Sequence, residues 1–155
     1  MIRMSALLVL LVVLVPAAAH AQAQGAAPAA PATLVNANTA TAAELSKVQG
    51  LNAATAKALV ARRPFASMTA LDTFLGEQKL TREQRTDLYD RLFVPVNLNT
   101  ATDADILLIP RLGNRMLREF KEYRPYKAIE QFRREIGKYV DKVELARLER
   151  YVTIN

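Results

Sequence analysis

The chain has 155 residues, with 21 Lys and Arg against 15 Asp and Glu, a formal net charge of +6, no Cys, no Trp and a single His. The missing cysteines exclude disulfides, thiolate metal sites and a Cys nucleophile. His20 falls in a removable-looking leader, so the remaining chain has no His for general-base chemistry or the usual zinc sites. The basic balance points to an anionic partner.

Residues 1–21 read MIRMSALLVLLVVLVPAAAHA. Arg3 supplies a positive start, Ala6 to Val15 are ten unbroken apolar residues, and Pro16 ends the run. Ala19-His20-Ala21 fits a small-x-small cleavage site, and Ala21-Gln22-Ala23 fits equally well. A spanning helix needs about 20 apolar residues, so the expectation is a cleaved signal peptide, export across the inner membrane to the periplasm, and no stable membrane insertion afterwards. Residues 22–34, QAQGAAPAAPATL, are rich in Ala, Pro and Gln and carry no charge, the composition of a disordered spacer.

Beyond the spacer the chain repeats itself with an offset of 61 residues. Val35-Asn36-Ala37-Asn38-Thr39-Ala40-Thr41 returns as Val96-Asn97-Leu98-Asn99-Thr100-Ala101-Thr102, identical at six of seven positions. Leu51/Leu112, Arg63/Arg124, Pro64/Pro125 and Gly76/Gly137 keep the register, and Glu44/Asp105, Leu45/Ile106, Val48/Ile109 and Phe65/Tyr126 are conservative pairs. The reading is two tandem units, 35–95 and 96–155.

Each unit is predicted to be all-α, with about four short helices. Thr41-x-x-Glu44 and Thr102-x-x-Asp105 are capping boxes that open a first helix. A tight break follows at 49–52 and 110–113. The second helix buries Ala56, Leu59 and Val60, or Leu117 and Phe120, and stops at Pro64 or Pro125. Met68, Leu71 and Leu75, matched by Ile129, Phe132 and Ile136, make the apolar stripe of a third helix. A fourth begins near Thr81, which forms another capping box with Gln84, or near Asp141. No segment reads as a strand. Asn38, Thr39, Asn99 and Thr100 read as satisfying the amides at helix starts. The region around Gly76 and Gly137 reads as a helix end with a glycine cap or as a degenerate partner hairpin that serves packing.

The break between the first two helices carries the functional signal. Val48-Gln49-Gly50-Leu51-Asn52 and Ile109-Pro110-Arg111-Leu112-Gly113 follow the pattern apolar-x-Gly-apolar-Gly with one glycine replaced in each. Such a turn aims free backbone N–H groups at an anion from the start of the second helix. Asn52 is read as tolerating left-handed geometry in place of glycine, whereas Arg111 brings a backbone cost and a side chain that either crowds the anion or reaches it.

On the opening Val-Asn-x-Asn-Thr-Ala motif, the hairpin and the Arg-Pro-Phe/Tyr that follows, the chain resembles the ComEA-like helix-hairpin-helix family of exported DNA-binding proteins. The resemblance spans both units. It implies a protein that binds the phosphate backbone of double-stranded DNA irrespective of sequence and holds incoming DNA in the periplasm during natural transformation. With no His or Cys beyond the leader, the expectation is a non-enzymatic protein without cofactor or metal. Carried over by position, the DNA-facing candidates are Gly50, Asn52, Ala53 and Lys57 in unit one, and Arg111, Gly113, Asn114 and Arg118 in unit two. Arg115 joins them because Arg111, Arg115 and Arg118 lie at i, i+4 and i+7.

Two other readings compete. The PsbU-type extrinsic subunits of photosystem II resemble this hairpin family without handling DNA, so a structural or protein-interaction module with an envelope partner is the alternative. Base-excision glycosylases also carry such hairpins, but within a much larger domain holding a catalytic Asp or Lys. Here the acidic residues are spread along helix faces. The charge itself is spread thinly, eight basic and six acidic residues in unit one against twelve and nine in unit two.

Overall fold

A computed structural model describes residues 33–154. The expected leader and all but the last two residues of the expected spacer lie outside the described residues. In chain order the elements are β1 (Val35–Asn36), α1 (Ala42–Leu45), α2 (Ala53–Arg62), α3 (Met68–Glu77), α4 (Arg82–Leu88), β2 (Leu92–Phe93), β3 (Val96–Asn97), α5 (Asp103–Leu107), α6 (Asn114–Glu122), α7 (Ile129–Ile136), α8 (Lys142–Glu149) and β4 (Val152–Thr153). The fold is all-α in class, and the second half repeats the element order of the first.

The helix starts follow from their caps. Thr41, Thr81 and Thr102 each complete a capping box, with Glu44, Gln84 and Asp105 reaching back to the cap amide. Asn52, Ser67 and Asp141 accept from the third helical residue. The apolar stripes close onto one continuous core in which Leu45, Leu59, Met68, Leu71, Leu75, Ile106, Phe120, Phe132 and Ile136 are fully enclosed. Val60 departs from expectation. It is 37% exposed, because it sits at the rim of the α2 stripe formed by Ala56 and Leu59.

Four two-residue strands correct the expectation of none. Val35 pairs in parallel with Leu92, and Val96 with Val152. Val35 N–H donates to Arg91 O at 2.7 Å, and Val96 N–H to Tyr151 O at 2.8 Å. Each strand pair ties the first residues of a unit to its last. Two residues carry no alternation, so this pairing has no periodic signature.

The roles expected of Asn38 and Asn99 also change. Asn38 does not cap a helix; its amide donates to Phe65 O at 2.9 Å and accepts from Phe65 N–H at 2.8 Å. Asn99 does the same to Tyr126 at 2.9 and 2.7 Å. The side-chain amide thus acts as a surrogate backbone, binding the opening motif to the segment after the proline. Arg63 Nε adds a bond to Ala37 O at 2.6 Å, and the Arg124 guanidinium one to Ala101 O at 2.9 Å. The shared motif and the shared Arg-Pro-aromatic therefore belong to one interlocked structure.

The ends of α3 and α7 are not equivalent. α3 closes in a Schellman-type turn, with Leu80 N–H donating to Leu75 O, and its left-handed residue is Lys79 at φ 66°. Gly76 lies inside the last turn of α3, while Gly137 caps α7 in ordinary helical geometry. Unit two is one residue shorter at this point, so from α4 onward the repeat offset is 60: Leu88 aligns with Leu148, both buried.

Candidate nucleic-acid interface

Each hairpin is held by apolar residues on either side of the turn. Val48 and Leu51 are buried in unit one, Ile109 and Leu112 in unit two. Leu51 N–H donates to Val48 O and Leu112 N–H to Ile109 O, both at 3.1 Å. Between them the chain must turn left-handed: Gly50 has φ 92° and Arg111 has φ 61°. A Cβ at Gly50 would meet only Leu88 at ordinary contact distance. The demand for glycine there is therefore conformational, not spatial.

The second position of the pattern behaves differently from expectation. Asn52 (φ −78°, ψ 161°) and Gly113 (φ −94°, ψ 174°) are both extended helix caps. Asn52 keeps hairpin one intact by capping, with its Oδ1 accepting from Thr55 N–H at 2.8 Å, and no left-handed tolerance is called upon. Gly113 provides no side-chain cap, and a Cβ there would meet nothing within 4 Å. The first-turn amides of α6 are left without a side-chain partner, next to open space, whereas one of those of α2 is already taken.

The expected contact residues Gly50, Asn52, Ala53, Lys57, Arg111, Gly113, Asn114, Arg115 and Arg118 are all exposed. The structure groups them into two sets, one per hairpin. Within the second set Arg115 and Arg118 lie on α6 and Arg111 on the turn before it.

Ion pairing separates the cations. Arg85 is held by Asp72 at 2.8 Å, Arg133 by Glu149 at 2.5 Å, Arg134 by Glu135 at 2.8 Å and Arg147 by Glu144 at 2.6 Å. Lys138 also binds Glu135, and Lys121 ties α6 to Asp103 at 2.7 Å. Among the described residues no ion pair engages Lys57, Arg115 or Arg118. Arg63 and Arg124 are half-buried and committed to backbone carbonyls.

Arg111 is intermediate. Its guanidinium stands 3.5 Å from Asp90 of unit one, with the two side chains 63% and 42% exposed. Asp90 and nearby Asp87 carry no local sequence signal. They align with Arg150 and Arg147 only once the offset falls from 61 to 60, a shift that the opening motif does not disclose.

Residues 31–84 match the family model described as helix-hairpin-helix motif. The match covers hairpin one from β1 to the beginning of α4; unit two lies beyond it. No curated protein and no solved structure matches the chain.

Proposed function

We propose that this protein is a non-enzymatic binder of double-stranded DNA that recognises the phosphate backbone without regard to sequence. The helix-hairpin-helix match in residues 31–84 supports a nucleic-acid partner, since such motifs commonly bind nucleic acid. The observation that carries the reading is at α6. A nine-residue helix begins at an uncapped glycine and bears Arg115 and Arg118, exposed and without an ion pair. Amides and cations at a helix start make a phosphate site, and phosphate contacts carry no base information. In this reading both halves carry the hairpin fold, with the aligned hairpin geometry as its support.

The leader and Ala/Pro spacer extend the proposal to export, with the protein holding DNA in the periplasm during uptake. The alternative, an envelope-protein interaction module on the same fold, has one observation in its favour. The amide cap of Asn52 and the nearby carboxylates make hairpin one unlike a phosphate host.

A duplex gel shift titrated with salt tests the function. With about four phosphate contacts, log K against log[salt] falls with a slope of about −3.6. Gly113→Asp places a capping carboxylate over the α6 amides. It is expected to leave the fold intact, within a few tenths of a kcal/mol, and to weaken the shift. A wild-type protein that does not retard long duplex DNA at low salt, yet captures an envelope protein, would establish the alternative.

A further inference from the structure

The two hairpins have the same backbone and opposite electrostatic surroundings. A depression beside hairpin one is lined by Gln49, Gly50, Asp87, Asp90 and Arg91. Asp87 and Asp90 come from the end of α4 and the turn after it. At the aligned positions in unit two, in the last turn of α8 and just after it, stand Arg147 and Arg150. The exchange flanks an otherwise equivalent turn, because Leu88 and Leu148 are buried alike. Arg91, the cation lining the depression, donates to Asp87 O at 3.0 Å. In hairpin two Arg147 is matched by Glu144, and the excess positive charge comes from Arg111, Arg115 and Arg118.

Resting on the DNA-binding reading above, we infer that Asp87 and Asp90 hold phosphate away from hairpin one, so that duplex DNA engages hairpin two alone, with Asp90 competing for Arg111. Three features of the molecule agree on this. Two carboxylates border Gly50, where a phosphate approaching the turn would have to sit, and like charges at such range repel. The Asn52 side chain occupies an α2 amide that its counterpart Gly113 leaves open. The Arg111–Asp90 pair crosses from unit two to unit one, so neutralising Asp90 releases a hairpin-two cation as well as relieving hairpin one. Unit one then serves as the platform on which unit two is mounted, and its acidic border keeps affinity low and the number of phosphate contacts small.

The test uses aligned positions. Ala54 and Arg115 are the second residues of α2 and α6, both exposed, and an acidic residue in a first turn suits the helix dipole. Salt-titrated shifts of the same duplex are compared for wild type, Ala54→Glu, Arg115→Glu and the double variant Asp87→Asn/Asp90→Asn, with circular dichroism confirming the fold of each. Ala54→Glu is expected to change affinity by less than about twofold and Arg115→Glu to lower it by more than about tenfold. The double Asn variant is expected to tighten binding by roughly threefold or more, with a steeper salt slope as another phosphate contact forms. Equal losses from Ala54→Glu and Arg115→Glu, or no tightening in the double variant, would overturn the inference while leaving DNA binding standing. A wild type with no salt-dependent shift overturns the function itself.

Discussion

The carboxylate of Asp105, in unit two, accepts a hydrogen bond from Thr69 N–H at 2.9 Å and another from Thr69 Oγ1 at 2.6 Å, in unit one. Its other oxygen accepts from Thr102 Oγ1 at 2.7 Å in the capping box of α5. One side chain, 5% exposed, therefore caps two helices and joins the units. The repeat-related Glu44 is exposed and caps only α1. Nearby, Tyr151 Oη donates to Tyr89 O at 2.9 Å, and the Phe93 and Tyr151 rings meet edge-on at 5.7 Å.

This joint makes the fold acid-sensitive. Burial by itself would raise the Asp105 carboxyl, but the Thr69 and Thr102 hydroxyls and the Thr69 amide overcome that and bring it down to about 2, from 3.8. A pKa depressed by folding contributes stability above the unfolded value, and that stability is lost as pH falls from about 4 through about 2. The contribution is about 2 kcal/mol. Urea melts between pH 6 and pH 2 should show this loss in the wild type, and Asp105→Asn should flatten the profile over that window.

Asn38 and Asn99 should matter equally. Replacing either by Ala leaves a backbone N–H and C=O of Phe65 or Tyr126 without their partner, a cost of about 2–3 kcal/mol. Thr39→Ala, at an exposed site in the same loop, should stay within about 0.5 kcal/mol. Denaturant midpoints of the three variants measure the difference.

Lys79 and Arg111 occupy left-handed geometry at φ 66° and 61°, a strain of about 1–2 kcal/mol for a side chain that glycine avoids. Glycine is more flexible when unfolded, so Lys79→Gly should stabilise by about 0.5–1 kcal/mol and raise Tm by a few degrees. Arg111→Gly should gain less, because it also forfeits the pair with Asp90. Thermal melts of both variants check the order.

Arg115→Ala with Arg118→Ala should weaken duplex binding and make the salt slope shallower by about 1.8 if each contacts one phosphate. Both residues are exposed and without an ion pair, so Tm should hardly move. Gel shifts at several salt concentrations, paired with a melt, separate loss of contact from loss of fold.

Helices were legible because their signals are local. Thr41, Thr81 and Thr102 sit three residues before the acid or amide that completes each box, and the apolar stripes recur at helical spacing within a turn or two. The hairpin residues were legible for the same reason. The role of Asn38 was not, because its partner Phe65 is 27 residues away. The hairpin pattern suggests a glycine substitute at Asn52, whereas its torsions make it a cap.

The sequence alone was enough to indicate the all-α class and where the helices start and break, since propensity, capping and apolar spacing act over a few residues. Tertiary structure decided everything that depends on which distant groups meet. It pairs Val35 with Leu92, lets Asp105 cap a helix of the other unit, and brings Asp90 against Arg111. It also decides which cations are spent on carboxylates and which remain exposed. Composition counts charge, but only the folded chain brings opposite charges within the few ångströms at which they neutralise one another.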